Sequence, residues 1–305
     1  VRCHQQVATQ MGEAREKLII TDHRSCHRPL LDAPVRYVPL SGTDDAISSE
    51  ALVTLTSEAI CVPRSVRLRD FDYLRPTLDV KAEAEVWSDS AAAEVHHGEH
   101  DFRSAEAGEP LALVEAEAWK TREQQLRGRG RVFGLRPGYR FRVEEHPLDS
   151  LNREYLATEV RHAGSQAADS PLVRELLGLD TAEDYRVEVA AISAETQFRP
   201  SRKTAIPRIN SVERALVDGP ADSEYAQIDE HGRYKVKLHF DVDDSDKWDG
   251  EASTWVRMLQ PHGGTTEGFH FPLRKNTEVL IVFLGGDPDR PVIAGTVPNA
   301  VQPSP

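Results

Sequence analysis

The stretch that decides the fold runs from Val279 to Gly295 and reads VLIVFLGGDPDRPVIAG. Its first six residues are branched or aromatic, which is the composition of a buried strand. The two adjacent glycines allow positive φ angles, whereas Pro288 and Pro291 fix φ and lack an amide donor. Neither a strand nor a helix continues through such a sequence. Because an apolar run then resumes, the stretch predicts two strands of opposite direction joined by a tight turn.

The chain around this stretch reads as a series of short strands without a convincing helix. The strand candidates are Ile209–Val217, Arg233–Phe240, Ser253–Met258, Glu278–Phe283 and Val292–Val297. Between the first two, the residues from Asp229 to Gly232 read as a hairpin turn. Five short strands of this kind predict a small closed barrel of the OB type over residues 208–299.

The region before residue 198 also has the composition of strands. The candidates there are Ala51–Leu55, Leu78–Trp87, Arg131–Phe133, Tyr139–Val143 and Tyr155–Val160. Apolar positions spaced by three and four residues predict an amphipathic helix over 109–126, and a second short helix is expected over 171–179. The basic, proline-bounded segment 198–207 is predicted to be an extended linker. The fold class is therefore mainly β, with a β-barrel region and one or two short helices over 1–197, followed by a five-stranded OB-like barrel.

Composition limits the function classes. A length of 305 residues allows about two domains. The formal net charge of −13 argues against a protein that binds nucleic acid, which needs clustered Lys and Arg. The three cysteines cannot all pair within one chain, and this sparse, odd count fits a reducing cytoplasm. No signal peptide and no apolar run of about 18 residues is visible, and because the sequence begins with Val1 we expect a fragment or a processed product.

The sequence offers no strong catalytic, metal or cofactor motif. Cys3-His4, Cys26-His27 and His96–His100 contain metal-ligand residue types but lack the spacing of zinc sites. The acidic segment Asp241–Glu251 lacks the glycine that a calcium loop needs at its sixth position. No Gly-x-Ser-x-Gly motif and no phosphate-binding glycine loop occurs. We therefore expect no catalysis, no cofactor, no metal and no small-molecule substrate.

Several ordered motifs resemble those of one known family. They are LRDFDYLRP (68–76), the stretch 146–156, DEHGRYKV (229–236), WVR (255–257) with QP (260–261), and EVLIVFLGGDPDRPVIAGTVPN (278–299). The family is the VgrG spike proteins of type VI secretion, which are related to the hub and spike of contractile phage tails. The chain departs from the family pattern at Asn276-Thr277, where Ile-Gly is usual, and at His262-Gly263-Gly264, where Trp-Ala-Gly is usual.

The resemblance implies a structural role in a contractile injection machine. It places a partial phage-hub-like β domain at 1–197 and an OB spike domain at 208–299, and makes 300–305 the start of a linker to a missing β-helix needle. It implies a homotrimer that caps an Hcp-type tube hexamer and carries a PAAR-type tip and effector cargo through a target envelope. Such a protein is made in the cytoplasm without a signal peptide and is secreted or injected by the type VI machine.

Two turns are expected to shape the trimer contacts and the strand register. The residues assigned to this role are Asp229, Gly232, Arg233, Trp255, Gly285, Gly286, Asp287, Pro288, Asp289, Arg290 and Pro291. Two alternatives stay open at this point. One is a hub and spike protein of a phage or phage-derived particle, and the other is a spike with an enzymatic extension beyond Pro305.

Overall fold

The computed structural model describes residues 5–8, 17–30, 33–39, 50–87, 93–98, 102–164, 185–242 and 249–303. The chain divides into two compact units, Val1–Ser201 and Arg202–Pro305. Strands dominate both units, and the described part of the chain contains one α-helix. The predicted fold class is confirmed, because a closed β-barrel is followed by a five-stranded sheet.

The first unit is built from strands that form a barrel and two smaller sheets. In chain order its described elements are β1 (Gln5–Ala8), β2 (Lys17–Ile20), β3 (Val35–Tyr37), β4 (Ala51–Ala59), β5 (Ser65–Asp70), β6 (Val80–Glu85), β7 (Glu94–Gly98), α1 (Ala105–Glu123), β8 (Gln124–Arg131), β9 (Arg140–Glu144), β10 (Glu154–Gly164) and β11 (Tyr185–Ser193). In the order β10, β11, β8, β4, β3, β9, six strands close into a barrel. Strands β6, β5 and β7, in this spatial order, form a separate sheet, and β1 pairs with β2.

Buried and exposed residues alternate along the barrel strands, and the buried residues form the core of the barrel. In β8, Arg127 and Arg129 are exposed, whereas Gly128 and Gly130 are buried. A period of two is the geometry of a strand with one buried face. The buried residues of this core are Val35, Leu52, Leu126, Val132, Leu135, Phe141, Val143, Leu151, Tyr155, Ala157, Val187, Val189 and Ala191.

Helix α1 packs on the three-stranded sheet. Ser104 caps its start by accepting a hydrogen bond from the amide of Ala107 at 3.3 Å. Ala112 and Ala116, which lie four residues apart on one face, belong to the same apolar core as Val66 of β5. Among the described residues, no helix is long and apolar enough to cross a membrane.

The structure corrects two element boundaries. The helix predicted over 109–126 begins earlier, after a serine cap, and ends where β8 begins. Leu126, which the apolar spacing places in the helix, is instead a buried barrel residue of β8. The predicted strand Arg131–Phe133 overlaps β8 only at its first residue. The helix predicted over 171–179 lies outside the described residues.

The segment predicted to begin the linker is held against α1. Arg199 donates from Nε to a carboxylate oxygen of Glu117 at 2.6 Å, and both side chains are mostly buried. The amide of Arg199 donates to the hydroxyl of Thr121 at 3.0 Å. Just before it, the side chain of Gln197 accepts a hydrogen bond from the amide of Arg24 at 2.9 Å. The end of the first unit is therefore bound to two other parts of that unit.

The second unit is a five-stranded sheet. Its strands are β12 (Glu213–Val217), β13 (Val236–Leu238), β14 (Arg257–Met258), β15 (Glu278–Phe283) and β16 (Pro291–Thr296), in the spatial order β13, β12, β15, β16, β14. The first three are shorter than predicted, and β15 and β16 are antiparallel as predicted. Asn276, where the chain departs from the family pattern, has a φ of +63°, which Asn tolerates better than most residues.

One residue pair joins the two edges of this sheet. Tyr234 and Val256 exchange both backbone hydrogen bonds, at 2.9 and 2.8 Å. They lie just before the edge strands β13 and β14, so the pair, which we call the ring seam, closes the sheet into a ring. The Tyr234 side chain is fully buried, and its hydroxyl accepts a hydrogen bond from the amide of Leu273 at 3.1 Å. Desolvation by burial raises the pKa of this hydroxyl.

Replacing Tyr234 with Phe removes one hydroxyl from the centre of this unit. The amide of Leu273 then loses its acceptor, and we expect the free energy of unfolding of the second unit to fall by roughly 1–3 kcal/mol. Tyr225→Phe is the matched control because Tyr225 is 67% exposed, and its change should stay within about 0.5 kcal/mol. Urea denaturation measures both variants. Equal stability of the two would contradict the role given to the Tyr234 hydroxyl.

Candidate functional site

The GGDPDRP turn joins β15 to β16 through two glycines in the left-handed region. Gly285 and Gly286 have φ angles of +62° and +75°, which β-branched residues adopt only with strain. The carbonyl of Leu284 accepts a hydrogen bond from the amide of Asp287 at 3.0 Å. The amide of Leu284 donates to the carbonyl of Arg290 at 3.0 Å. The turn is therefore closed by main-chain hydrogen bonds.

Two charged side chains of this turn, those of Asp287 and Arg290, lie close together. One oxygen of the buried Asp287 carboxylate accepts from the amide of Asp289 at 3.0 Å, and the other lies 3.9 Å from Nε of Arg290. Pro288 and Pro291 are half-buried and restrict φ on either side of Asp289 and Arg290. The motif thus contains a cap for its own backbone and a countercharge for its own carboxylate.

The same turn holds the segment that leads into β12. The amide of Ile209 donates to the carbonyl of Gly286 at 2.7 Å, and the guanidinium of Arg208 donates to the carbonyl of Gly285 at 2.7 Å. A Cβ atom on Gly286 would lie 3.2 Å from Oδ1 of Asn210. The position of this leading segment therefore depends on the two glycines.

Gly286→Val should destabilise the second unit for two reasons. It forces a β-branched residue into a positive φ angle, and it brings a side chain against Asn210. We expect a loss of about 1–2 kcal/mol or more in the free energy of unfolding. Gly295→Val is the matched control, because Gly295 lies in β16 with no atom within 4 Å of its Cβ position. If chemical denaturation gave the two variants the same stability, the turn would not need its glycines.

The second predicted turn, Asp229 to Gly232, is organised by one carboxylate. Oδ1 of Asp229 accepts from the amides of His231 and Arg233 at 3.0 and 2.8 Å, and Oδ2 accepts from Nε of Arg233. Gly232 has a φ of +69° and donates to the carbonyl of Asp229 at 3.0 Å. Desolvation raises the pKa of Asp229, but the amides and the guanidinium outweigh it and hold the pKa below its ordinary value. We call this element the Asp229 turn.

Trp255 lies beside the ring seam. It precedes Val256, and Nζ of Lys235 lies 5.1 Å from its ring centroid. The same Nζ donates to the carbonyl of Ser253 at 2.7 Å. On the other side of the seam, the Asp229 turn leads directly into Tyr234. The structure therefore brings the Asp229 turn and Trp255 to the ring seam, and places the GGDPDRP turn against the segment that leads into β12.

Two central residues of this unit were given no role from the sequence. One is Tyr234, and the other is Asp218, which has no exposed surface. Oδ1 of Asp218 accepts from the amide of Gly219 at 2.7 Å, and Oδ2 accepts from the amide of Gly250 at 3.1 Å. Asp218 thus ties the end of β12 to the loop before β14. Its local sequence, Asp-Gly-Pro, is typical of an ordinary turn, so no local signal marks it.

The residues considered as metal ligands are not gathered into a site in the described part of the chain. There, no group of three or more His, Cys, Asp or Glu side chains is arranged to hold a metal ion. Cys3, His4, Glu99, His100 and residues 243–248 of the acidic segment lie outside the described residues. The absence of a metal and of a cofactor stays a prediction from the sequence.

Asp229→Asn removes the charge on which the Asp229 turn depends. A carboxyl group with a lowered pKa stabilises the fold above its unfolded pKa of about 3.9, and this contribution is lost as pH falls through the folded pKa. We expect Asp229→Asn to lose roughly 1.5–3 kcal/mol at about pH 7, and the difference from wild type to shrink below about pH 4.

Chemical denaturation at the two pH values measures this difference. Glu230→Gln in the same turn is the matched control, because the Glu230 side chain is 86% exposed. It should differ little from wild type at either pH. A loss for Asp229→Asn that stays constant with pH would show that the carboxylate charge is not what matters.

Two protein-family models match the chain. The model of the phage tail baseplate hub (GPD) matches residues 7–168. The model of the type VI secretion system/phage-baseplate injector OB domain matches residues 226–297. The first match spans most strands of the first unit, and the second includes both predicted turns and the ring seam.

Curated relatives match across both units. The chain is 32% identical over 246 residues to the type VI secretion system spike protein VgrG1b of Pseudomonas aeruginosa, covering 79% of this chain and 32% of that protein. It is 32% identical over 248 residues to VgrG1a of the same organism, covering 80% and 37%. The chain therefore spans about a third of the length of these relatives.

A solved structure shows a similarity of lower extent. It is the E. coli c3393 protein, described as a component of the type VI secretion system with structural similarity to the T4 bacteriophage tail proteins gp27 and gp5. The sequence identity is 26%, and the TM-score is 0.40. The match covers 60% of this chain and 41% of that one.

Proposed function

Since this chain belongs to the VgrG spike family and carries the phage tail baseplate hub region over residues 7–168, we propose that it is a hub and spike component of a contractile injection machine of the type VI kind. Its first unit serves as part of the hub, and its second unit serves as the OB domain of the spike. Both act within a homotrimer. The role is structural, and no catalytic step is assigned to residues 1–305.

The observation that carries this proposal is the apolar surface of the second unit. Among its described residues, eight apolar side chains are buried, whereas eleven large apolar side chains are exposed. The exposed set is Ile206, Val212, Tyr225, Ile228, Phe240, Val242, Leu259, Phe269, Phe271, Leu284 and Val301. Apolar side chains that lie together on a surface, unlike single scattered ones, mark sites of association, and Phe269 and Phe271 of this set stack on each other. The second unit therefore offers an exposed aromatic pair to other chains.

The closed architecture suits a part that is pushed through an envelope. Sheets with open edges present unpaired backbone groups, whereas closed barrels leave few of them. Six strands close into a barrel in the first unit, and five are joined through the ring seam in the second. The six barrel strands of the first unit therefore have hydrogen-bonded neighbours on both sides, and in the second unit the Tyr234–Val256 pair links the two edge strands.

The proposal extends to the partners that complete such a machine. The hub region caps an Hcp-type tube hexamer, a PAAR-type tip completes the spike, and effectors travel with it. The protein is made in the cytoplasm and leaves through the machine to which it belongs. The support is that the relatives VgrG1b and VgrG1a are spike proteins of type VI secretion.

A second candidate is the hub of a phage or phage-derived particle. The observation that favours it is the match of residues 7–168 to the phage tail baseplate hub. Both candidate functions use the same two units, so the structure agrees with either of them. The neighbouring genes distinguish them, because type VI secretion genes would support the first candidate and capsid genes the second.

The mass of the protein in solution tests whether the chain forms a trimer. We expect sedimentation equilibrium to give three times the chain mass of 34.0 kDa. Because each copy has a net charge of −13, the copies repel one another, and about 1 M NaCl should leave the trimer intact or strengthen it. A mass of one chain at every concentration, or dissociation by salt, would contradict an assembly held by apolar contacts.

A further inference from the structure

Between β14 and β15 the chain leaves the ring and forms an exposed hairpin, residues 261–272, which we call the aromatic arm. All of its residues are exposed. Its base is held at both ends. The amide of Leu259 donates to the carbonyl of Ile293 at 2.8 Å, and the amide of Leu273 donates to the hydroxyl of Tyr234 at 3.1 Å. The arm therefore projects from fixed positions on the ring.

Contacts within the arm order its side chains. The amide of Phe269 donates to the carbonyl of His262 at 3.0 Å, and the amide of Gly264 donates to the carbonyl of Glu267 at 2.7 Å. The rings of Phe269 and Phe271 stack, with centroids 6.1 Å apart and an interplanar angle of 14°. They remain 58% and 57% exposed. Covering these two rings with another surface would remove apolar area from water, which is favourable.

A polar atom at the base of the arm also lacks a partner. Oε1 of Gln260 is buried and has no hydrogen-bond donor among the described residues. Buried polar atoms of native proteins are nearly always hydrogen-bonded. The other end of this amide, Nε2, lies 3.4 Å from Nδ1 of His270. The uncovered rings and the unsatisfied acceptor therefore lie on the same segment.

Charge indicates what covers the arm. The chain has a net charge of −13, so a basic partner would be drawn to its acidic surfaces. The arm contains a single carboxylate, Glu267, whose Oε1 lies 3.8 Å from Nε2 of His262 in the same arm. An apolar, nearly neutral arm lets two strongly acidic copies meet without adding to their repulsion. A second copy of this chain, which the proposed trimer supplies, is therefore the occupant that we consider, and the charges of the arm are compatible with it.

We propose that the aromatic arm of each copy packs on the second unit of a neighbouring copy, with Phe269 and Phe271 as the buried residues at the centre of the contact. In a threefold ring one such contact is repeated, so one arm from each copy suffices. Aromatic residues in well-packed pockets contribute most of the binding energy of an interface. This inference rests on the proposed trimer and names the segment that holds it together.

Replacing Phe269 and Phe271 together with Ser removes both rings. We expect this double variant to be monomeric where wild type is trimeric, with association weakened by at least about tenfold. Phe240→Ser is the matched control, because Phe240 is 63% exposed in the same unit but lies outside the arm. It should keep the wild-type mass. Circular dichroism and thermal unfolding verify that both variants are folded.

A photo-crosslinking side chain in place of Phe271 identifies the surface that covers the arm. In the purified protein, we expect crosslinked products with the mass of two chains, in which the second peptide comes from residues 202–305. A double variant that stays trimeric, or crosslinks confined to one chain, would contradict the proposed contact of the arm. Neither result would contradict the trimer itself. A wild-type chain that is always monomeric would contradict the trimer, and the arm contact with it.

Discussion

The Tyr234–Val256 pair is the constraint on which the second unit depends. The sheet of this unit has two edge strands, and two backbone hydrogen bonds between these residues bring the edges together. The Asp229 turn leads into Tyr234, and Trp255 immediately precedes Val256. The Tyr234 hydroxyl also holds the chain where it returns from the aromatic arm. Because these contacts share the same two residues, opening the ring seam would weaken all of them together.

In the second unit, the residues that form the apolar core are different from the large apolar residues that are exposed. The apolar core is supplied by the strands and by the two residues of the ring seam. The large exposed apolar side chains all lie outside the strands, in the segments that connect or flank them. The strands therefore stabilise the unit, whereas the connecting segments carry its large exposed apolar side chains. This division suits the proposed spike role, in which the interior withstands force and the surface binds other copies.

The elements that were predicted best are those fixed by local chemistry. The two strands and the GGDPDRP turn follow from an apolar run, two glycines and two prolines, and the observed strands lie within one residue of the prediction. Helix α1 was placed less well. Its start depends on the Ser104 cap, and the apolar spacing continues past its end to Leu126, which packs in the barrel. The roles of Tyr234 and Asp218 could not be predicted, because their partners are distant in the sequence.

Amide hydrogen exchange, resolved at single residues, tests the closure of the second unit most directly. We predict that the amides of Tyr234 and Val256 exchange as slowly as those in the centre of β15, through unfolding of the whole unit. Exchange of these two amides at the rate of exposed loop residues, while β15 stays protected, would show that the ring is open at its seam and would contradict the closure.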